Sequence, residues 1–185
     1  MNSVKPKIIQ LKDLYFREYL SVEQIQERVA AMGAEIRQNY AHRNPIFISI
    51  LNGAFMFAAD LVRACNIDCE LSFVKLSSYK GTQSSGTVTT VIGLDTVLEG
   101  RDIVIIEDII DTGRTLHGFM QQLKEEKPKS IALASLLVKP DALQYHLQID
   151  YTGFSIPNHF VVGYGLDYDS AGRHLPSIYQ LTDPT

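Results

Sequence analysis

The chain has 185 residues, of which 45% are hydrophobic and 21% are charged, as expected for one globular domain spanning residues 1–185. Its net charge of −4 leaves no broad basic surface, so the sequence predicts no nucleic-acid partner. Cys65 and Cys69 are too few for a disulfide framework, and no apolar run is long enough to cross a membrane. The first residues, Met1–Lys7, lack a signal-peptide core, and a cytoplasmic location is therefore expected.

The first predicted helix follows Ser21, which has the character of an N-cap, with Gln24 placed to complete a capping box. Apolar residues then recur at helical spacing: Val22, Ile25, Val29, Met32, Ile36 and Tyr40. This stripe predicts an amphipathic helix that packs on the core and ends before Asn44 and Pro45. Residues 1–20 show no pattern that assigns them to a helix or a strand.

A strand, a tight turn and a helix follow in succession. Ile46–Leu51 is apolar almost throughout, and Asn52 with Gly53 is a turn signal. An apolar helix is predicted over Ala54–Ala64. Such strand–turn–helix units predict an α/β domain with a parallel core sheet and helices on both faces. Ligands of these sheets bind beyond the carboxyl ends of the strands, so Asn52 and Gly53 are expected at the ligand edge.

The next segment combines an alternating strand with a polar loop. Ile67–Leu76 alternates between apolar and polar residues, which predicts a half-exposed strand, and Val88–Ile92 is expected to return beside it. The intervening Ser77–Gly86 is rich in glycine and serine. This loop is either an ordinary surface hairpin or a lid that closes over a site and excludes water, with Ser78 and Tyr79 at its start.

The central segment is a buried strand that ends in acidic residues. Ile103–Ile106 has the length and β-branched content of a buried parallel strand. Three carboxylates follow: Glu107, Asp108 and Asp111. Thr112–Thr115 then leads into a helix predicted over Leu116–Glu126. A turn of small residues before a helix offers backbone N–H groups and hydroxyls to an anion, which predicts a phosphate site.

Residues 103–115 resemble the phosphoribosyl-diphosphate (PRPP) binding signature of the type I phosphoribosyltransferases. That signature is an apolar run, Glu-Asp, two apolar residues, Asp-Thr-Gly, any residue and Thr. The resemblance implies that Glu107 and Asp108 bind the ribose hydroxyls. It implies a 5′-phosphate loop composed of Asp111, Thr112, Gly113, Arg114 and Thr115. It also implies that Asp111 is the catalytic general base or acid at nitrogen 7 of a purine.

Lys139 follows a further apolar strand, Ile131–Val138. A lysine at this point either extends into solvent or lies beside a ligand at the carboxyl edge of the sheet. Residues 135–139 resemble the 6-oxopurine enzymes of the family, which implies that Lys139 donates a hydrogen bond to the exocyclic oxygen of the base. A cationic donor favours a 6-oxo over a 6-amino group, since the amino group cannot accept that bond.

The last third of the chain carries a second resemblance. Residues 153–157 and 160–167 closely resemble the hypoxanthine-guanine phosphoribosyltransferases. The resemblance implies that the Phe160 ring stacks on the purine and that Val161 reads the base through its backbone. It further implies that Leu166 and Asp167 leave a backbone carbonyl near the 2-position of the purine, so that guanine is accepted as well as hypoxanthine, and that Asp167 ligates Mg²⁺.

Two segments make up the pyrophosphate site that the resemblance implies. Backbone amides of a short loop hold the pyrophosphate in the family, and this loop matches Leu51, Asn52 and Gly53. Arg173 matches an arginine that contacts the pyrophosphate, and many members have lysine in place of Asn52. Ser78 and Tyr79 match the lid of the purine enzymes, in which the tyrosine covers the pyrophosphate.

The resemblance as a whole implies a type I phosphoribosyltransferase fold and an enzyme of purine salvage. The core would span residues 40–150, with residues 1–20 and 150–185 forming a small hood over the base pocket. The substrates would be PRPP and hypoxanthine or guanine, Mg²⁺ would be required, and the chain would form homodimers or homotetramers. Two alternatives stay open: a xanthine phosphoribosyltransferase of the same fold, and a non-catalytic regulator that binds nucleotide.

Overall fold

The computed structural model describes residues 7–78, 88–92 and 96–184. Within these ranges the elements are, in order, β1 (Ile8–Leu11), β2 (Leu14–Leu20), α1 (Val22–Tyr40), β3 (Ile46–Leu51), α2 (Phe55–Cys65), β4 (Glu70–Ser78), β5 (Val88–Ile92), β6 (Asp102–Ile110), α3 (Arg114–Glu125), β7 (Ser130–Val138), a short 3₁₀ turn (Pro140–Ala142), β8 (Tyr151–Ser155), β9 (Val161–Val162) and β10 (Ile178–Thr182). Over the same ranges, no helix has both the length and the apolar character needed to span a bilayer.

Six strands form the core sheet in the order β5–β4–β3–β6–β7–β8. β5 pairs antiparallel with β4, and the other five strands run parallel. α1 and α2 pack on one face and α3 on the other. Within β6, Val104 and Ile106 face α1 and α2, whereas Ile103 and Ile105 face α3. Burial on both faces explains the continuous apolar run, and the predicted α/β architecture is confirmed.

The amino end of α1 has the predicted capping box. The Gln24 amide donates to Ser21 Oγ at 3.3 Å, and the Ser21 amide donates to Gln24 Oε1 at 2.9 Å. Two N–H groups that would otherwise lack a helical acceptor are satisfied in this way. The apolar stripe of the helix is buried against the core, as its spacing predicts.

Some element boundaries differ from the predictions by a few residues. α3 begins at Arg114 rather than Leu116, because Gly113 adopts a left-handed φ of 75° directly before the first helical residue. The strand predicted from Ile67 begins at Glu70, where pairing with Ile46 of β3 starts. α2 is displaced by one residue from its predicted bounds.

A second, four-stranded antiparallel sheet has the order β1–β2–β10–β9 and is named the hood below. It includes both ends of the described chain, among them residues 8–20, which no pattern in the sequence assigned to a helix or a strand. The predicted hood boundary at residue 150 is too early. Tyr151–Ser155 pairs in parallel with Ala134–Val138 and is the outer strand of the core sheet, so the carboxyl-terminal part of the hood begins at β9.

The carboxyl ends of β3, β6 and β7 lie side by side. Ser49 of β3 pairs with Ile106 of β6, and Ile110 at the end of β6 pairs with Val138 at the end of β7. The loops that leave these three strands therefore meet at one edge of the sheet, where α/β domains bind their ligands. The candidate site residues come from these loops and from the segment that follows β9.

Candidate active site

The turn between β6 and α3 encloses a cavity of about 180 Å³. Its lining comprises Glu107 and residues 109–116. The first helical hydrogen bond of α3 runs from the His117 amide to the Gly113 carbonyl at 2.8 Å. The amides before His117 have no acceptor within the helix, and this is the arrangement that binds phosphate at helix amino ends. The cavity thus contains every residue of the predicted 5′-phosphate loop.

Gly113 combines a positive φ of 75°, which favours glycine, with close packing against Leu147. A side-chain carbon at Gly113 would lie 2.7 Å from Leu147 Cδ1. The loop that contains Leu147 also donates a hydrogen bond to the turn, from the Gln144 amide to the Thr112 carbonyl at 3.0 Å. The segment between β7 and β8 therefore supports the phosphate loop from outside.

The two adjacent acids, Glu107 and Asp108, lie against different cavities. Glu107 lines the phosphate cavity, whereas Asp108 is buried and lines a second cavity on the side of Gly53. The Asp108 amide donates to Glu107 Oε1 at 3.2 Å, and the Ile109 amide donates to Asp108 Oδ1 at 2.9 Å. Burial, and then the neighbouring Asp108 carboxylate, raises the pKa of Glu107 well above its usual range.

This raised pKa predicts that Glu107→Gln stabilises the fold at high pH. The folded chain holds a proton on Glu107 more tightly than the unfolded chain does. Wild-type stability therefore falls as the pH rises from the ordinary glutamate pKa of 4.5 toward the raised folded value. Glutamine does not ionise, so the variant does not lose stability in this way. Each pKa unit of difference between the folded and unfolded states corresponds to about 1.4 kcal/mol in the free energy of unfolding.

Thermal denaturation at a series of pH values, from the ordinary glutamate pKa of 4.5 upward, measures the effect. The Glu107→Gln variant should gain melting temperature relative to wild type as the pH rises, and the exposed Glu99→Gln is the matched control. A gain that is the same at every pH would show that ionisation of Glu107 is not its cause.

The second cavity, of about 330 Å³, lies between the core sheet and the hood and is named the base cavity below. Its lining comes from five separate segments: Gly53, Asp108, Ile109, Asp111, Lys139, Phe160, Val161, Leu166, Asp167 and Arg173. All of the predicted purine-binding residues are therefore brought together in one cavity. Ile109 also lines it, although it was not predicted as a site residue.

Lys139 and Asp111 form an ion pair in the base cavity. The Lys139 ammonium donates to Asp111 Oδ2 at 3.0 Å. The Lys139 side chain is only 9% exposed, whereas that of Asp111 is 49% exposed, so the carboxylate faces the cavity and the phosphate turn. The Lys139 amide donates to the Ile110 carbonyl at 2.9 Å, which fixes the backbone from which the side chain extends. The aspartate that is predicted to transfer the proton and the lysine that is predicted to bind the purine oxygen are therefore direct partners.

Phe160 lies at the rim of the base cavity with 43% of its surface exposed. Its ring centroid is 6.1 Å from that of Phe16 and 6.0 Å from that of Tyr168, with an edge-on angle of 84° to the latter. Phe16 is fully buried in the hood. The hood therefore holds the exposed ring in place and leaves one face of it free to stack on a planar ligand.

Gly53 is confined between the two halves of the site. A side-chain carbon there would lie 1.5 Å from Asp108 Oδ2, so only glycine fits beside this acid. On the other side, a side-chain carbon at Gly165 would lie 2.0 Å from the Gly53 carbonyl oxygen. The peptide bond between Leu51 and Asn52 is cis, and Asn52 is exposed at the edge of the loop.

Asp167 and Arg173, predicted to contact the metal and the pyrophosphate, are paired with each other. The Arg173 guanidinium lies 2.6 Å from Asp167 Oδ1 and donates to the Gly165 carbonyl at 2.7 Å. The Ser170 amide donates to Asp167 Oδ2 at 2.7 Å. Each of the two carboxylate oxygens of Asp167, a residue that lines the base cavity, therefore has a protein donor as its partner.

The predicted lid lies at the limit of what the structure describes. Ser78 is the last residue of β4. Tyr79 lies outside the described residues, so its predicted role over the pyrophosphate stays a prediction.

Comparisons with known proteins agree with this arrangement. The family model for the phosphoribosyl transferase domain matches residues 18–169. A hypoxanthine-guanine phosphoribosyltransferase from Bacillus subtilis is 44% identical over 160 residues, which cover 86% of this chain and 89% of that protein. A crystal structure of a hypoxanthine-guanine phosphoribosyltransferase from Bacillus anthracis is 35% identical, has a TM-score of 0.85, and covers 94% of this chain and 100% of that chain. The chain belongs to the phosphoribosyltransferase family, in the branch of the hypoxanthine-guanine phosphoribosyltransferases.

Longer relatives also contain a segment that is similar to this chain. The bifunctional protein TilS/HprT of Listeria monocytogenes is 43% identical over 160 residues, which cover 86% of this chain. The chain spans only 25% of the length of that relative.

Proposed function

We propose that the chain transfers the 5-phosphoribosyl group of PRPP to nitrogen 9 of hypoxanthine and guanine, with release of pyrophosphate. The observation that carries this proposal is the base cavity, in which the Lys139–Asp111 pair lies close to the exposed Phe160 ring and borders the phosphate turn. The names of the Bacillus relatives, which are hypoxanthine-guanine phosphoribosyltransferases, support the same substrates.

Recognition of a 6-oxopurine follows from the donors of Lys139. An ammonium group has three donors, and one of them is directed at Asp111. A second donor can bind the exocyclic oxygen of the base without breaking the ion pair. Because the lysine side chain is almost completely buried, its charge gains strongly from an added acceptor. An exocyclic amino group offers no acceptor there, which disfavours adenine.

The reaction breaks the bond between ribose C1′ and a pyrophosphate oxygen and forms the bond between C1′ and nitrogen 9. Positive charge develops on the ribose as this happens. Asp108 stabilises that charge, and carboxyl oxygens of Glu107 and Asp108 accept hydrogen bonds from the ribose hydroxyls. Asp111 takes the proton that nitrogen 7 loses as nitrogen 9 bonds to C1′. Lys139 keeps a positive charge beside Asp111 and orients its carboxylate.

The oxygen donors around the base cavity fit Mg²⁺, which we propose as the metal. Mg²⁺ is usually held by one or two carboxylates together with substrate phosphates and water, rather than by a complete protein cage. Among the described residues, no group of three or more acidic, histidine or cysteine side chains is placed to hold a metal. Asp167 is the proposed protein ligand. When bound, the ion spreads the negative charge of the pyrophosphate leaving group.

Replacing Lys139 by glutamine should raise the KM for hypoxanthine by about tenfold or more, because a hydrogen bond to a charged group is worth about 1.5–3 kcal/mol. The KM for PRPP should change little. Steady-state kinetics with each substrate varied in turn measures both values. Lys129→Gln is the matched control, since Lys129 pairs with Asp102 at the amino end of β6. An unchanged KM for hypoxanthine would remove the direct contact between Lys139 and the base.

The choice of base tests the proposed function. An equimolar mixture of hypoxanthine, guanine, xanthine, adenine and uracil is incubated with the chain, PRPP and Mg²⁺, and the nucleotide products are separated by chromatography. The nucleotides of hypoxanthine and guanine should dominate. A dominant xanthine nucleotide would favour the xanthine enzyme of the same fold, and a dominant adenine or uracil nucleotide would contradict the role given to Lys139.

A further inference from the structure

The loop that joins β9 to Asp167 has an unusual backbone. Three consecutive residues have positive φ angles: Gly163 at 100°, Tyr164 at 49° and Gly165 at 103°. The left-handed conformation is costly for a residue with a large side chain and persists only where its surroundings enforce it. Here the Tyr164 amide donates to the Leu175 carbonyl at 2.8 Å, which holds the turn from within the hood.

The side chain of Tyr164 leaves the hood and binds the core. Its phenol donates to Asp60 Oδ2 at 2.6 Å, and the residue is only 6% exposed. Arg63, one turn further along α2, pairs with the other oxygen of the same carboxylate. Burial, and then the hydrogen bond to Asp60, raises the pKa of Tyr164, so the phenol remains a donor at any physiological pH.

Two contacts link the hood to the loop of residues 51–54, which is named the pyrophosphate loop below, and to the helix α2 that follows this loop. Asp60 is on α2, which begins at Phe55, directly after the loop of residues 51–54. Gly165, the residue after Tyr164, packs so closely on the Gly53 carbonyl that a side-chain carbon would approach it to 2.0 Å. The hood therefore touches the loop through Gly165 and the helix behind the loop through Tyr164.

We propose that Tyr164 and Asp60 form a positioning pair, which sets the hood loop carrying Asp167 against the pyrophosphate loop. The inference rests on the proposed function, because it assigns the pair to the binding of PRPP. Gly53 is fixed between Asp108 and Gly165. When the Tyr164–Asp60 bond is lost, Gly165 is free to move away from Gly53, and the peptide groups of the pyrophosphate loop lose their fixed direction.

The pair therefore acts on the PRPP side of the site. Loss of the Tyr164–Asp60 contact should weaken the binding of PRPP more than the binding of the base. Lys139 and Asp111, which face the base, are held by core strands and not by this contact. Tyr164→Phe removes only the hydroxyl and keeps the packing of the ring. Asp60→Ala removes the acceptor, and Asp60→Asn keeps an acceptor oxygen for the phenol.

Isothermal titration calorimetry, in which PRPP is titrated into each variant in the presence of Mg²⁺, tests the proposal directly. Tyr164→Phe and Asp60→Ala should each weaken PRPP binding by about two- to thirtyfold, the range expected when a residue that does not touch the ligand changes the coupling to its site. The double variant should be no weaker than the single ones, because both remove the same interaction. Asp60→Asn should recover most of the affinity.

Tyr151→Phe is the matched control. The Tyr151 phenol accepts a hydrogen bond from Asn39 Nδ2 at 2.7 Å, between α1 and β8 and away from the pyrophosphate loop and the hood loop. The change should therefore lower stability without weakening the binding of PRPP. Unchanged PRPP affinity in Tyr164→Phe, with only a lower melting temperature, would overturn the positioning role. Failure of wild type to form any nucleotide while it still binds PRPP would instead overturn the proposed function, and the titration would still decide the role of the pair.

Discussion

Asp111→Asn should lower kcat by about 10²- to 10⁴-fold, the contribution that a positioned general base typically makes. The Asp111 carboxylate lines both the phosphate cavity and the base cavity and is half exposed to them. Asparagine matches its size but cannot take a proton from nitrogen 7. The affinity for PRPP should fall far less than kcat, because the phosphate-binding amides of the turn belong to the backbone.

Steady-state kinetics together with PRPP titration separates these two effects. Asp141→Asn is the matched control, since Asp141 is an exposed acid in the 3₁₀ turn just after Lys139. Near-normal turnover in Asp111→Asn would remove Asp111 from the role of base. Equal losses in kcat and in PRPP affinity would assign it to phosphate binding instead.

Gly53→Ala should reduce kcat/KM by about 10²-fold or more, the cost expected when site groups are misplaced by about 1 Å. The added carbon would lie 1.5 Å from Asp108 Oδ2, so either the carboxylate or the pyrophosphate loop must move. Both are proposed to contact PRPP. The loss should therefore fall mainly on the kinetics with PRPP and only secondarily on those with the base.

Gly33→Ala provides the comparison for Gly53→Ala. Its added carbon would lie 2.6 Å from Ala64, at the contact between α1 and α2, and should lower the melting temperature with little effect on kcat/KM. Wild-type catalytic efficiency in Gly53→Ala would mean that the loop and Asp108 relax without consequence, which contradicts the tight site described above.

The segments with a strong local pattern were predictable from the sequence. Ile103–Ile106 is buried on both faces of the sheet, and such strands have continuous apolar runs. The acids and small residues that follow it are set by local geometry, and all of them line the two cavities. The capping box of Ser21 and Gln24 is likewise a local signal that the structure confirms.

Features that depend on distant contacts were not predictable. A side-chain carbon at Gly153 would lie 2.3 Å from the Leu136 carbonyl oxygen, so this glycine permits β8 to approach β7. The ion pairs of Lys139 with Asp111 and of Arg173 with Asp167 join residues from separate segments or opposite sides of a turn. No spacing in the sequence reveals such pairs.

The amino-terminal hairpin carried a weak signal. Two apolar strands, Ile8–Leu11 and Leu14–Leu20, are separated by Lys12 and Asp13, and Lys12 adopts a positive φ of 52°. A Lys-Asp pair is not a strong hairpin turn signal, unlike Asn-Gly or Asp-Gly. The hairpin is instead stabilised by its pairing with β10, more than 150 residues away in the chain.

The most direct test of the proposed function is a spectrophotometric assay of the wild-type chain with hypoxanthine, PRPP and Mg²⁺. We predict conversion of hypoxanthine to its 5′-nucleotide with one pyrophosphate released for each nucleotide formed, and loss of the reaction when the metal is chelated. Binding of PRPP without turnover of hypoxanthine, guanine or any other purine base would contradict the account and identify the chain as a nucleotide-binding regulator.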